Sequence, residues 1–177
     1  MEKKKAALST REIVVFAMLA TITFLSKLLM EWAPNIHLVG MLIMVYTLVY
    51  RKKALIPLYG YVFLFGLYYG FSTWWLPYLY IWTVLWGVTM LLPKNMPKKW
   101  AVPVYMAVCA LHGLLYGVLY APAQALLFGL NFKGMLTWIA AGFPFDALHA
   151  AGNLAAGVLI VPLTELLRKL EKGIARS

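Results

Sequence analysis

The chain has 177 residues, 63% of them hydrophobic and 12% charged, with a mean hydropathy of +0.79. A soluble domain is about half apolar and a quarter charged, so an ordinary water-soluble fold is excluded. Sixteen Lys and Arg against six Asp and Glu give a net charge of +10. The basic residues gather at the ends of apolar runs, which points to a membrane boundary and not to nucleic acid. Those runs are long and unbroken, so the expected fold is an all-α integral membrane protein and not a β-barrel. At about 20 residues per span, the length holds six helices at most, in a single transmembrane domain over 1–177.

Residues 1–10 form a basic arm with Lys3, Lys4 and Lys5. No small-x-small cleavage site follows the first apolar run, so that run is read as a retained helix and not a leader. Spans are expected at about 11–32, ended by Ala33-Pro34-Asn35, and at 37–50, which is short and ends at Arg51-Lys52-Lys53. The third, 54–71, and the fourth, 75–92, are separated by Ser72-Thr73; Pro93 to Lys99 is a turn, and the fifth is 100–127. Met135–Ala141 is expected as a short surface or re-entrant helix, cut off by Gly142-Phe143-Pro144. The sixth span, 145–167, would start there, because proline suits a first helical position. Fourteen of the sixteen basic residues fall on one side of this arrangement, leaving Lys27 and Lys133 on the other. The prediction is a six-helix transmembrane bundle with both termini cytoplasmic.

Ionisable and amide groups cost free energy in hydrocarbon, so those inside the apolar runs are site candidates. Asp146, His149 and Asn153, at i, i+3 and i+7, share one helix face. Asp146 is expected in the first turn of its helix, where the dipole favours a carboxylate. Two readings stand: a cap plus interhelical hydrogen bonds, or contact with a ligand. No second cluster of His, Asp or Glu lies at ligand spacing, so no metal is expected. Cys109, the single cysteine, reads as a packing residue in an apolar run.

Trp75, Tyr78, Trp82 and Trp86 form an aromatic stripe along the fourth span. An interfacial belt accounts for Trp74, Trp75 and Tyr78, and poorly for Trp82 and Trp86, which lie deeper. Tyr116, Tyr120 and Gln124 repeat every four residues on the fifth span, and Tyr68 and Tyr69 end the third. Aromatic walls with a few polar groups suit a flat, partly polar small molecule; packing is the alternative. Lys27 and Glu31, at i and i+4, are spaced to pair. His37 opens the second span from the outer loop, and His112 is expected to hydrogen-bond within the bundle. Ala17, Ala20 and Thr21, and later Ala151, Gly152, Ala155, Ala156 and Gly157, are small residues at helix-contact spacing.

There is no Walker A loop, no Gly-x-Ser-x-Gly elbow and no His-Glu-x-x-His. The chain therefore has no ATPase of its own, and no cofactor is expected. It also lacks the two-fold repeat that many secondary transporters use.

A basic arm leads through Thr10-Arg11-Glu12-Ile13 into the Ala-rich segment Phe16-Ala17-Met18-Leu19-Ala20-Thr21. The last span opens with Gly142-Phe143-Pro144-Phe145-Asp146-Ala147-Leu148-His149-Ala150-Ala151-Gly152-Asn153. In these motifs, and in six expected spans with both ends inside, the chain resembles the substrate-binding S components of energy-coupling factor (ECF) transporters. The resemblance implies a multi-pass protein of the bacterial plasma membrane that captures a micronutrient, a vitamin or precursor, from outside. It also implies docking on a membrane T component driven by two cytoplasmic ATPases, with release by toppling in the bilayer. Small residues of the first helix would form the docking face, here Ala17-x-x-x-Thr21 with Ala20 beside it. The substrate region carried over from the family contains Asn35, His37, Trp75, Tyr78, Trp82, Tyr120, Gln124, Asn131, Asp146 and His149. A neutral or cationic heteroaromatic compound is the favoured cargo, since aromatic faces attract cations and Asp146 would neutralise one. The competing class is a non-transport membrane protein, either an assembly factor or an enzyme using Asp146 and His149 as acid and base. An enzyme would need further converging groups, and Glu31 is the only other outward carboxylate in the spans.

Overall fold

Ser9 and Glu12 start the first helix with a reciprocal cap. In the computed structural model, which describes residues 8–174, the Glu12 N–H donates to Ser9 Oγ (3.2 Å) and the Ser9 N–H to Glu12 Oε2 (3.1 Å). Lys3, Lys4, Lys5 and Arg176 lie outside the described residues. The elements are α1 (Thr10–Leu29), α2 (Val39–Tyr50), α3 (Leu55–Tyr69), α4 (Tyr78–Leu91), α5 (Lys98–Leu114), α6 (Tyr116–Phe128), α7 (Phe132–Gly157) and α8 (Ile160–Ile174). Short 3-10 turns at Arg51–Ala54 and Thr73–Trp75 complete the order, and no strand occurs among the described residues.

The protein is all-helical. Two rods, Thr10–Leu29 and Lys98–Phe128, are long and apolar enough to cross a membrane; a third joins them if α7 and α8, bent by 50° at their junction, count as one span. Helices α2, α3 and α4, with 12, 15 and 14 residues, are shorter than the runs of apolar sequence that contain them. Helix α2 is apolar on every side, and all ten residues from Val39 to Leu48 are buried. A helix of that composition belongs in the middle. Helices α1, α4, α5, α7 and α8 pack around it, and α3 lies outside against α1 and α4.

The most extensive helix pairing joins α5 and α7. It depends on the absence of side chains at three points. A Cβ on Gly113 would lie 2.8 Å from Asn153 Nδ2 and 3.0 Å from the Ala150 backbone nitrogen. One on Gly157 would lie 2.9 Å from the Met106 Cα, and one on Gly117, at the start of α6, 2.3 Å from Asp146 Oδ2. Gly113 and Gly117 are four residues apart, the spacing that lets helix backbones approach in a membrane.

The expected break at Gly142-Phe143-Pro144 does not occur. Helix α7 runs through it from Phe132 to Gly157, and the chain bends at Val158-Leu159 instead. Pro144 lies on the exposed side of α7. A long helix absorbs the loss of one backbone bond there. At the real break, the Val158 and Leu159 N–H groups turn back to Ala155 O (3.4 Å) and Ala156 O (3.0 Å), tightening the helix end. Pro162 then sits in the first turn of α8, where a missing N–H is harmless.

Helix α8 fastens the basic end of the bundle. Glu171 accepts from Arg11 Nη2 (2.9 Å) and from the Tyr50 hydroxyl (2.8 Å), and Arg168 Nη2 donates to Leu48 O (3.1 Å). Lys53 pairs with Glu12, Lys98 pairs with Glu165 at 2.7 Å, and Arg51 donates to Met90 O at 2.7 Å. These contacts draw basic residues from four separate stretches of chain to one end of the molecule.

Candidate functional site

Helix α7 has only four buried residues, Asp146, His149, Asn153 and Gly157. The face expected from their spacing is therefore its inward stripe. Helix α4 contributes Trp82, buried to 1% exposure. The loop before α2 brings His37, α5 brings His112, and α6 opens on Tyr116.

These side chains meet around Trp82. The His37 ring lies 4.7 Å from His149 and 6.0 Å from Trp82. His112 lies 5.5 Å from Trp82, tilted over it. Tyr116 lies 5.7 Å from Trp82 and 5.1 Å from His149. Tyr61 and Tyr78 close the ring on the α3 and α4 side, 6.3 and 6.1 Å from Trp82.

The centre is rich in unanswered hydrogen-bonding capacity. Among the described residues, eight buried side-chain nitrogen or oxygen atoms lack a partner, and six of them belong to this neighbourhood. They are His37 Nδ1, Tyr61 OH, Trp82 Nε1, His112 Nδ1, His149 Nε2 and Asn153 Oδ1. Each such atom costs about 1–3 kcal/mol if nothing answers it. Six together mark a place built to be answered by a small polar molecule or by water. Above it, Phe65, Tyr69, Trp74 and Tyr78 line an open recess of about 330 Å³. Tyr78 belongs to both the recess and the buried ring.

Asp146 has a different position from the one expected. It lies in the middle of α7, not in a first turn, because the helix does not begin at Pro144. The helical ladder of the α5–α6 rod is interrupted at Leu115. There the Gly117 N–H donates to Asp146 Oδ2 at 3.1 Å. The carboxylate thus caps α6 from a neighbouring helix, a favourable place for a negative charge. Asp146→Asn keeps an acceptor oxygen and is expected to leave thermal stability near that of the parent; Asp146→Ala strands the N–H and should cost about 1–2 kcal/mol. Unfolding of both variants in detergent measures this, and equal loss would remove the capping role.

The structure gathers His37, Tyr78, Trp82 and His149 from the predicted site, with Asp146 at its edge. Tyr120 stands one step out, 6.2 Å from Tyr116, stacked on Trp138 at 5.7 Å and donating to Trp74 O at 2.9 Å. The others lie elsewhere. Trp75 Nε1 donates to Val62 O at 2.8 Å, tying the 3-10 turn to α3. Asn131 caps α7, its Oδ1 accepting from the Gly134 N–H at 2.8 Å. Asn35 holds a left-handed turn at φ 58°, and Gln124 lies in the second half of α6.

His112 makes its expected bundle hydrogen bond, Nε2 to Ile81 O at 3.1 Å, and also belongs to the ring. Lys27 and Glu31 form no ion pair among the described residues. Helix α1 ends at Leu29, so Glu31 leaves the i+4 position. Ala17 and Thr21 are exposed on α1, but Ala20 is buried and faces Gly60 of α3, where a Cβ would lie 2.9 Å from its own. Residues that sequence reasoning missed are Tyr61, Gly113 and Gly117; only the glycine pair carried a signal, in its spacing.

Among the described residues no group of three or more His, Cys, Asp or Glu is placed to hold a metal ion. Comparison with protein-family models, curated proteins and solved structures finds no match to this chain.

Proposed function

We propose that this chain is the substrate-capturing subunit of an ECF-type importer for a small ring-containing micronutrient. The observation that carries the reading is the buried ring of His37, Trp82, His112, Tyr116 and His149 with its unpartnered polar atoms. Flat aromatic walls and imidazole nitrogens match a heteroaromatic compound with its own donors and acceptors. The aromatic recess is its entry from outside.

In this reading six helical units sit in the bilayer: α1, α2, α3, α4, the α5–α6 rod and the bent α7–α8 pair. Both termini are cytoplasmic, since the basic end is the inside end. The short helices α3 and α4 are completed by their 3-10 and loop extensions, and α2 is shielded by its neighbours. Energy comes from a T component and two cytoplasmic ATPases, docked on the α1 face that Ala17 and Thr21 share with Ile13, Val14, Met18 and Ile22. That face is a shallow apolar groove with little polar character, suited to another helix and not to water.

Native mass spectrometry on the protein purified in mild detergent from its own host tests this. A bound small molecule, or co-purifying T component and ATPases, is the expected result. A bare monomer that gains no thermal stability from a vitamin panel would overturn it and favour a membrane-embedded enzyme or assembly factor. Ala17→Trp should leave the small molecule bound and remove the T component and ATPases from the preparation. Complexes that survive it would place docking elsewhere.

A further inference from the structure

A second cavity, of about 320 Å³, opens at the basic end between the α4–α5 turn, the start of α5 and α8. Its lining includes Lys94, Lys98 and Arg168 against the single acid Glu165. Glu165 is already paired with Lys98, so Lys94 and Arg168 are in surplus. Arg168 spends one N–H on Leu48 O and retains others of its five.

Helix α5 begins in the same place. The Trp100 and Ala101 N–H groups both return to Pro97 O at 2.9 Å, which leaves those of Lys98 and Lys99 ahead of the first helical bonds. Thr164 supplies the second, independent sign. It lines the cavity, is 5% exposed, and its Oγ1 has no partner. Thr21, Thr23, Thr47, Thr83, Thr89 and Thr137 all satisfy their hydroxyls on the carbonyl four residues back. Thr164, on the cavity wall, alone among these helical threonines leaves that bond unmade.

We infer that this cavity binds the phosphate of an anionic lipid headgroup, held by Lys94, Arg168, the first N–H groups of α5 and the Thr164 hydroxyl. Surplus cations, free helix N–H groups and a buried hydroxyl are the donors a phosphate diester needs. The depth argues for a lipid. Trp100, next in the chain, is 59% exposed with Lys99 Nζ 5.7 Å from its ring centroid, the composition of a bilayer–water boundary. Basic recesses between helices at the cytoplasmic boundary are suited to anionic headgroups.

The test is thermal unfolding of the full chain in mild detergent, titrated with dioctanoyl phosphatidylglycerol, dioctanoyl phosphatidylcholine or inorganic phosphate. Saturable stabilisation by the phosphatidylglycerol alone is expected. Lys94→Gln, an exposed change, should weaken it roughly fivefold. Thr164→Val, which removes an unanswered hydroxyl, should unfold at the same temperature as the parent or higher without lipid, yet bind phosphatidylglycerol several-fold more weakly. An equal response to phosphatidylglycerol in parent and both variants would overturn the site. So would equal stabilisation by the phosphatidylcholine. Stabilisation by inorganic phosphate as strong as by the lipid would overturn the lipid as its occupant. None of these outcomes depends on the import reading.

Discussion

His149→Phe is expected to fold as stably as the parent, or about 1 kcal/mol more stably, and to lose its small molecule at least a hundredfold. The imidazole Nε2 is buried without a partner, so in the empty protein it contributes desolvation cost and nothing in return. Phenylalanine fills similar space between His37 and Tyr116, which pack on it at 4.7 and 5.1 Å. A ligand that answered Nε2 would lose that bond and face an apolar wall, the kind of mismatch that polar sites punish severely. His112→Phe is the contrast. Its Nε2 already bonds Ile81 O, so the change removes a hydrogen bond that the empty protein makes and should destabilise by about 1 kcal/mol. The readouts are unfolding temperature in detergent and the fraction of protein carrying a small molecule in native mass spectra. A His149→Phe protein that unfolds several kcal/mol earlier while keeping its occupant would make the histidine a packing residue and end the site reading.

Gly117→Ala is the substitution expected to harm the fold most. Its Cβ would stand 2.3 Å from the carboxylate oxygen that caps α6. The obstacle is a short side chain that is 7% exposed, with little room to swing aside. Either α5–α6 and α7 separate or the cap breaks, with a loss of about 3 kcal/mol and a fall near 10 °C. In an Asp146→Ala background the same methyl has room, and the added loss should shrink below about 1 kcal/mol. Equal losses in both backgrounds would show that the methyl meets something other than Asp146.

Legibility along the chain followed the range of each signal. The α7 stripe was readable because Asp146, His149 and Asn153 lie on one helix, where spacing alone decides the face. The gathering of basic ends was readable because runs of Lys and Arg mark boundaries without any tertiary knowledge. Pro144 misled because a proline's effect depends on which side of the helix it takes; Pro162, in a first turn, was the informative one. Misplacing that break also put Asp146 at a helix start and hid its role as a cap for a different helix. Trp75 and Asn131 entered the candidate site by their type and position, though Asn131 before a helix is itself a capping signal. The meeting of His37, His112 and His149 was beyond any periodicity. It depends on a loop and on two helices, α5 and α7, brought close by glycines at their contact.

Helix α2 has one more consequence. Twelve residues rise about 18 Å, against a hydrocarbon layer of about 30 Å. Its neighbours screen it from lipid, so nothing obliges it to be longer. Met30–Leu38 leads into it with backbone bonds that are all local: Met30 to Lys27, Glu31 to Leu28, Ala33 to Met30 and Ile36 to Ala33. What holds this segment to the other helices is side-chain packing, with Ala33 and His37 buried and Ile36 set against Gly152. His37 thus reaches the ring from a loop and owes its place there to packing, while Trp82 and His149 are carried by helices.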